Sequence, residues 1–229
     1  MHFLKNMEKI IIKNLGLISY KKAYKIQNDI FEEAILKKLK GENIEGSILF
    51  CEHPHVYTIG KSGNRNNFLI TEDRLKQLNA EFFPVDRGGD ITYHGPGQIV
   101  MYPIIDLENY HLGVKDYIYL LEYLIIDILK DYGIKGEISA GNIGVWLETE
   151  TIRERKICSI GVKVSRNITM HGIALNVNTD LSYFDSINPC GFTEKSVTSI
   201  RKELSADINM NELKEKIQKE LLIRLNQLK

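Results

Sequence analysis

Residues 156–177, KICSIGVKVSRNITMHGIALNV, decide the fold that the sequence predicts, because they contain two adjacent strand-like runs. The runs are residues 156–164 and 168–177, and both are rich in β-branched side chains. Strict alternation divides the second run into an apolar face and a face of very small residues. The apolar face, with one histidine, holds His171, Ile173, Leu175 and Val177, and the small face holds Gly172, Ala174 and Asn176. Such a strand is expected to pack its apolar face against the hydrophobic core. Its small face can pack closely against a helix or a slender ligand such as an acyl chain.

Regular patterns on both sides of this stretch predict further strands and three long helices. Strand-like runs occur at residues 10–15, 47–51, 56–60, 81–85, 99–105 and 144–147. Apolar side chains recur at helical spacing in residues 19–40, 114–132 and 209–228, and Thr71 can cap a shorter helix. No linker, repeat or change in composition marks a boundary. We therefore expect one α+β domain over residues 1–229, with a small C-terminal subdomain after Phe192 as the alternative.

Composition limits the classes of function. The chain has 229 residues, 43% hydrophobic and 26% charged, and so can bury a core without disulfides or metal. Its 30 basic and 30 acidic residues cancel, which argues against nucleic-acid binding by a bulk basic field. The three cysteines, Cys51, Cys158 and Cys190, form no CxxC pair and fit free thiols in a reducing compartment. Neither a signal peptide nor a run of about 20 apolar residues is present, so we expect a cytoplasmic protein without membrane contact.

A glycine-rich segment, RGGDITYHGPGQ at residues 87–98, lies between two predicted strands. Glycine permits positive φ and lets another chain or a ligand approach the backbone closely. The segment is either a long hairpin with tight turns or a slot lined by backbone. It has neither the GxGxxG spacing of a dinucleotide site nor the Gly-Lys-Ser/Thr of a phosphate loop.

Cys190 is the candidate nucleophile, because the residues beside it, Pro189 and Gly191, are expected to hold its thiol in a defined turn. A free thiol is mostly protonated at neutral pH, so catalysis requires a neighbouring cation or base. The candidates are Lys156, His94 and His171. The plain alternatives are an inert loop cysteine, a lysine at a strand end and two structural histidines.

A metal site is a weaker possibility. His53 and His55 could form a metal site with Cys51, but Pro54 separates the histidines and no second pair of ligands has the spacing of a zinc site. We expect no metal.

Four blocks, in the same order and spacing, resemble the lipoyl(octanoyl) transferases, also called lipoate-protein ligase B. The blocks are RGGxxTYHGPGQ at residues 87–98, KIxxIG at 156–161, HGxALNV at 171–177 and NPCG at 188–191. The likeness extends from about Leu15 to Ile200, and the separation of Lys156 from Cys190 matches the family's lysine–cysteine dyad. It implies the fold of the biotin and lipoyl protein ligases and transferases, a mixed β-sheet flanked by α-helices.

The resemblance also implies transfer of an octanoyl group from octanoyl-acyl carrier protein to one lysine of a lipoyl domain. The family's acceptors are lipoyl domains of 2-oxoacid dehydrogenase complexes and the glycine cleavage H protein. Cys190 would carry the acyl group as a thioester, and Lys156 would lower the pKa of its thiol. The implied substrate-binding residues are Arg87, Gly88, Gly89, Asp90, Ile91, Thr92, Tyr93, His94, Ser159, Ile160, Gly161, Gly172, Ile173 and Ala174. No ATP or other cofactor is needed, because the acyl group arrives already activated.

The strand at residues 156–161 raises two questions. Cys158 is a second thiol two residues beyond Lys156, and we expect it to be a packed small residue. Strict alternation puts Lys156 opposite Ser159 and Gly161, so contact of all three with substrate requires a bulge or an approach from the strand's end.

Acyl carrier protein is acidic, so its docking site should be basic. The candidates are Lys61, Arg65, Arg153, Arg155 and Lys163. Two other functions remain open. One is an ATP-dependent lipoate- or biotin-protein ligase of the same fold, in which Cys190 would have no role. The other is a non-catalytic protein that binds acyl groups or lipoyl domains.

Overall fold

The structure, a computed structural model, describes residues 9–188 and 196–228, and in these it contains two β-sheets and five α-helices. The strands are β1 (Ile10–Leu17), β2 (Gly46–Glu52), β3 (Val56–Ile59), β4 (Glu81–Pro84), β5 (Ile91–His94), β6 (Gln98–Ile104), β7 (Glu137–Ser139), β8 (Asn142–Leu147), β9 (Arg155–Ser165), β10 (Ile168–Asn176) and β11 (Ser196–Val197). The helices are α1 (Tyr20–Leu39), α2 (Glu72–Gln77), α3 (Val114–Lys130), α4 (Ile200–Leu204) and α5 (Met210–Gln227). Every strand and long helix predicted from sequence patterns is present. Among the described helices, none has the length and apolar character needed to cross a bilayer.

The larger sheet is mixed, as the resemblance implied. Its strand order is β1-β2-β6-β10-β9-β8-β7, and β11 pairs additionally with β9. β1 runs parallel to β2, and β11 runs parallel to β9. The other neighbours along the order are antiparallel. The two runs in residues 156–177 are therefore neighbouring strands, β9 and β10, inside the sheet.

Helices cover both faces of this sheet. α1 packs on one face, and α3 and α5 pack on the other. The alternation of β2 shows how the sequence assigns the faces. Leu49 and Cys51 join the core under α1, whereas Ile48 and Phe50 join the core under α3 and α5.

The C-terminal helix α5 belongs to the main core. Asn209 caps it, since its side-chain oxygen accepts hydrogen bonds from the N–H groups of Asn211 and Glu212. Its apolar stripe is fully buried together with that of α3, and consists of Leu213, Ile217, Leu221 and Leu225. The end of the chain therefore shares the core of the large sheet and does not build a second one.

The smaller sheet has the order β4-β3-β5, and the glycine-rich segment connects it to the larger sheet. β4 precedes the segment in the small sheet, and β6 follows it in the large sheet. The hairpin interpretation of this segment is therefore wrong. β5 lies inside the segment and was not predicted, because four residues between glycine pairs are too few to show a periodic pattern.

Candidate active site

A cavity of about 640 Å³ lies between the small sheet and the large sheet. Its walls come from β5, β9 and β10, and from the glycine-rich residues that precede β5. Tyr20 of α1 and Val114 and Ile118 of α3 also line it. The glycine-rich segment thus forms one wall of a slot, which is the second of the two interpretations that its sequence allowed.

Strand β9 bulges between Lys156 and Cys158. Val145 of β8 pairs with Cys158, and the next residue, Trp146, already pairs with Lys156, so Ile157 is an extra residue on β9. The bulge separates two sides of the strand. The core side carries Ile157 and Cys158, and the cavity side carries Lys156, Ser159 and Gly161. Ile160 contacts both the main core and the cavity. A bulge therefore answers the question of how these three residues reach one cavity.

Lys156 is held at the cavity wall by β8. It is 7% exposed, and its Nζ donates a hydrogen bond to the carbonyl oxygen of Ile143 at 3.2 Å. The ammonium also lies 4.4 Å from the centre of the Trp146 ring, a cation–π distance. Trp146 is fixed in turn, because its Nε1 donates to the carbonyl oxygen of Asn142 at 2.9 Å. The result is a largely desolvated lysine with a defined side-chain position.

The loop before β5 approaches β9 so closely that a side chain on Gly161 would crowd it. The N–H of Gly88 donates to the carbonyl oxygen of Val162 at 2.9 Å. A Cβ on Gly161 would lie 3.0 Å from Cδ of Arg87 and 3.1 Å from the oxygen of Gly88. Arg87 is itself buried, and its guanidinium donates to the carbonyl and hydroxyl oxygens of Thr58, both at 2.9 Å.

β5 presents Thr92 and His94 to the cavity and turns Tyr93 away from it. Thr92 Oγ1 lies 3.4 Å from Oγ of Ser159 on the facing strand. Nδ1 of His94 lies 2.8 Å from the side-chain oxygen of Gln98, and burial lowers the pKa of His94 to about 3. His94 is therefore neutral at physiological pH. The Tyr93 side chain is fully buried in the core of the small sheet.

His171 departs from the alternation predicted for β10. Its φ is 62°, and its ring lies against Tyr24 of α1, whereas Ile173 points into the core under α3. The predicted placement of His171 on the same face as Ile173 is therefore wrong. Nε2 of His171 lies 3.0 Å from Asp86, whose other oxygen pairs with Lys163 at 2.6 Å. Burial lowers the pKa of His171, and Asp86 opposes that shift.

The cavity brings together most of the residues that the sequence predicted to bind substrate. Its lining includes Arg87, Gly88, Gly89, Asp90, Ile91, Thr92, His94, Ser159, Ile160, Gly161, Gly172, Ile173 and Ala174, with Lys156 beside them. Tyr93 does not line it. Cys190 lies outside the described residues. Cys158 is fully buried in the main core, where burial raises the pKa of its thiol.

Of the described residues that flank the Cys190 segment, Val197 lies at the cavity. On one side, the N–H of Asn188 donates to the carbonyl oxygen of Asn67 at 2.8 Å. On the other, Val197 lines the cavity and pairs with Lys156 across β11 and β9. The described chain therefore resumes directly beside Lys156.

The basic residues predicted to dock a carrier protein differ in their surroundings. Three of them pair with carboxylates: Arg153 with Glu148, Arg155 with Glu203, and Lys163 with Asp86. In the part of the chain that the structure describes, Lys61 and Arg65 have no carboxylate partner. The backbone N–H of Lys61 donates to the carbonyl oxygen of Arg87 at 3.0 Å, and the next residue, Ser62, lines the cavity. Lys61 therefore lies at the edge of the cavity.

The two histidines near Cys51 take part in packing. Nδ1 of His53 lies 2.8 Å from the carbonyl oxygen of Ile18, and His55 stacks on Tyr183 at 4.1 Å between ring centres. Across residues 9–188 and 196–228, no three His, Cys, Asp or Glu side chains cluster as metal ligands.

Sequence reasoning missed the residues that surround Lys156. They are Ile143, Gly144 and Trp146 on β8, and Glu122 on α3. One signal was present, because Glu122 interrupts the most apolar segment of the chain and is 2% exposed in the structure. Carboxylates are rarely buried to this extent unless a partner compensates the charge.

Comparison with known proteins identifies a family and similar sequences. A sequence profile of the lipoyl protein ligase A/B catalytic domain matches residues 26–222. The chain is similar to the octanoyltransferase of Bacteroides thetaiotaomicron, with 50% identity over 221 residues, which is 96% of this chain and 97% of the relative. It is also similar to the octanoyltransferase of Bacteroides fragilis strain YCH46, with 51% identity over 217 residues, which is 95% of this chain and 98% of the relative.

Solved structures share the fold. A bi-partite lipoate protein ligase from Thermoplasma acidophilum superposes with a TM-score of 0.67 at 15% identity, over 95% of this chain and 84% of that chain. Lipoate-protein ligase A bound with ATP superposes with a TM-score of 0.65 at 14% identity, over 95% of this chain and 85% of that chain. The biotin protein ligase of Aquifex aeolicus superposes with a TM-score of 0.50 at 13% identity, over 96% of this chain and 71% of that chain. The likeness to these structures confirms the predicted biotin/lipoyl protein ligase-like fold.

Proposed function

We propose that this chain, which belongs to the lipoyl protein ligase A/B catalytic domain family and is an octanoyltransferase, works through a thioester on Cys190. In this proposal it takes the octanoyl group from octanoyl-acyl carrier protein and passes it to one lysine of a lipoyl domain, as the first step of protein lipoylation. The acceptors are lipoyl domains of 2-oxoacid dehydrogenase complexes and the glycine cleavage H protein. The reaction takes place in the cytoplasm and needs no cofactor.

The observation that supports the proposal is the position of Lys156 at the cavity wall, paired with Val197, close to where the described chain resumes after Cys190. Val197, seven residues after Cys190, pairs with Lys156. Asn188 precedes Cys190 by two residues, which span at most about 7 Å of extended chain. A desolvated ammonium close to a thiol lowers the pKa of that thiol and raises its thiolate fraction.

The two histidines that the sequence offered as activators support the proposal less well. His94 is neutral, and its Nδ1 is occupied by Gln98. His171 is anchored to Asp86. Lys156 is the candidate that combines a positive charge with a place at the cavity.

The first step exchanges one thioester for another. The thiolate sulfur of Cys190 attacks the carbonyl carbon of the octanoyl thioester, a new C–S bond forms, and the C–S bond to the carrier breaks. The carrier's thiolate then takes a proton from the Lys156 ammonium, which leaves the lysine neutral. The exchange is nearly balanced in free energy, because a thioester replaces a thioester.

The second step forms the product amide. The amine of the acceptor lysine attacks the Cys190 thioester, a C–N bond forms, and the Cys190 sulfur leaves as a thiolate. The proton lost by the amine passes to neutral Lys156, which restores the ammonium and thiolate pair. This step is downhill, because an amide replaces a thioester.

The cavity suits a slender apolar chain. The lining includes the small residues Gly161, Gly172 and Ala174 on the neighbouring strands β9 and β10, and Ile160 and Ile173 supply apolar surface. Each methylene of the octanoyl group that leaves water contributes about 0.8 kcal/mol to binding. Several methylenes together therefore contribute substantially to binding of the acyl chain.

The test supplies the enzyme and a purified lipoyl domain with one of two donors and follows the mass of the lipoyl domain. With octanoyl-acyl carrier protein and no ATP, we expect octanoylated lipoyl domain from the parent and from Cys158→Ser, and none from Cys190→Ser. Transfer that requires free octanoate and ATP would contradict the proposal and identify an ATP-dependent ligase. Binding of the donor without transfer by any variant would identify a non-catalytic binding protein.

A further inference from the structure

Glu122 is a carboxylate buried in the middle of α3, on the face that packs against β8 and β9. It is 2% exposed, and its Oε1 accepts a hydrogen bond from the backbone N–H of Gly144 at 2.9 Å. In the described part of the chain its Oε2 has no hydrogen-bond partner. A buried charge with one open oxygen requires a compensating positive charge nearby. Lys156 is the cation near it: burial raises the pKa of Glu122, and the Gly144 N–H and the Lys156 ammonium oppose that shift.

One peptide group joins these two charged residues. The N–H of Gly144 that donates to Glu122 and the C=O of Ile143 that accepts from Lys156 belong to the same amide. A carboxylate on the N–H side polarises that amide and makes its oxygen a stronger acceptor for the ammonium. Glu122 thus acts on Lys156 through the Ile143–Gly144 peptide as well as through space.

The backbone at Gly144 is shaped for this arrangement. Its φ is 124°, and a Cβ there would lie 2.5 Å from the carbonyl oxygen of Cys158 and 3.4 Å from Cε of Lys156. Only glycine fits, because both the backbone angle and the space exclude a side chain. The amide can therefore lie against the Lys156 stem at the β9 bulge.

We propose that Glu122 is a positioning residue for Lys156, holding the ammonium in place and in its charged form through the Ile143–Gly144 peptide. The inference rests on the role proposed above for Lys156. It predicts that Glu122 favours the thiolate of Cys190 in the resting enzyme, and favours transfer of the acceptor amine's proton to Lys156 after each acyl transfer.

Stability alone does not explain a glutamate at this position. Burial raises the pKa of Glu122, while the Gly144 N–H and Lys156 oppose the shift. A carboxyl group whose pKa is raised on folding stabilises the fold at low pH, and that contribution is lost as the pH rises through the folded-state pKa. At neutral pH a glutamine would keep an acceptor for Gly144 and replace the cost of burying a charge by that of two buried N–H donors at the position of Oε2. The charge is therefore expected to serve Lys156.

The test measures the rate at which iodoacetamide alkylates Cys190 as a function of pH, with Cys190 identified by peptide mass spectrometry. The variant Glu122→Gln keeps the acceptor for Gly144 and removes the charge. We expect the apparent pKa of the Cys190 thiol to rise by about 0.5–1 unit, because the ammonium is less favoured. In the transfer assay kcat should fall about 3- to 10-fold with KM for the donor unchanged. The melting temperature of this variant should not fall.

Asp127→Asn is the matched control, because Asp127 lies on the same helix and pairs with Lys130 and Arg224 at the surface. It should leave the alkylation profile and kcat unchanged. An alkylation profile of Glu122→Gln that coincides with that of the parent would overturn the inference.

A double variant separates this inference from the proposed function. If Glu122 acts through Lys156, Glu122→Gln should have no further effect on the alkylation profile in a Lys156→Ala background. The same shift in both backgrounds would overturn the inference and leave the function in place. A parent profile that Lys156→Ala does not change would overturn the pairing of Lys156 with Cys190, and the inference with it.

Discussion

The two sides of β9 carry chemically reactive groups two residues apart, and the structure gives them opposite surroundings. On the core side, the thiol of Cys158 is fully buried under α3, and burial raises its pKa. On the cavity side, Lys156 keeps its ammonium against Trp146 and the carbonyl of Ile143. One extra residue, Ile157, places the thiol in the core and the lysine at the cavity. The side of the strand decides which of the two groups lies at the cavity.

Removing the ammonium on the cavity side should have the largest effect. Lys156→Ala is expected to lower kcat/KM for octanoyl transfer by roughly 10²–10⁴-fold, the range of a lost acid–base group. The pH at which acylation reaches half its maximal rate should rise, because the thiol loses the cation that favours its thiolate. Initial rates measured across pH check both effects. Lys135→Ala, at the exposed surface, is the control, and an unchanged profile in Lys156→Ala would assign activation to another group.

Adding a side chain on the cavity side should have the next largest effect. Gly161→Val places methyl groups where Arg87 and Gly88 already lie, and so narrows the slot for the acyl chain. We expect KM for octanoyl-acyl carrier protein to rise more than tenfold, since several methylenes lose contact at about 0.8 kcal/mol each. Ile157→Val on the core side is the control, expected to lower the free energy of unfolding by about 0.5–1.5 kcal/mol without changing KM. Equal KM values in Gly161→Val and Ile157→Val would contradict the assignment of Gly161 to the cavity side of β9 and Ile157 to the core side.

A polar group on the core side should affect stability and not catalysis. Cys158→Ser buries a hydroxyl in the apolar core, which should lower the free energy of unfolding by about 1–3 kcal/mol. Urea unfolding measures the change, and kcat per folded molecule should equal that of the parent. A stable Cys158→Ser enzyme with reduced kcat would show that this thiol takes part in the reaction.

Charges at the cavity edge should have the smallest effect. The double variant Lys61→Gln, Arg65→Gln should raise KM for the acidic carrier protein about two- to fivefold and weaken its dependence on salt. Arg153→Gln also removes a positive charge, but one that already pairs with Glu148. It should therefore change KM for the carrier protein less than the double variant does. Equal salt dependence in the double variant and the parent would exclude Lys61 and Arg65 from the docking surface.

Much of the fold could be predicted because the hydrophobic pattern is strong. In the strand-like run 47–51 and in α5, the apolar residues that recur at strand or helix spacing are the ones buried in the core. The short strand β5 and the division into two sheets could not be predicted, because four residues carry no period and sheet membership depends on contacts distant in sequence.

The candidate site likewise has parts that the sequence predicted and parts that it did not. The sequence blocks located the cavity lining, but strict alternation misplaced His171 and put Lys156 on the side opposite Ser159 and Gly161. Both failures come from local backbone geometry, the positive φ of His171 and the extra residue Ile157. Glu122 was visible only as an interruption in an apolar helix, and its meaning depends on an amide of β8 that is distant in sequence.

Intact-mass spectrometry of the enzyme mixed with octanoyl-acyl carrier protein, without an acceptor, tests the central claim most directly. We predict one added octanoyl group on the parent and on Cys158→Ser, and none on Cys190→Ser. An adduct that persists in Cys190→Ser and disappears in Cys158→Ser would contradict the account, because it would place the nucleophile on the core side of β9.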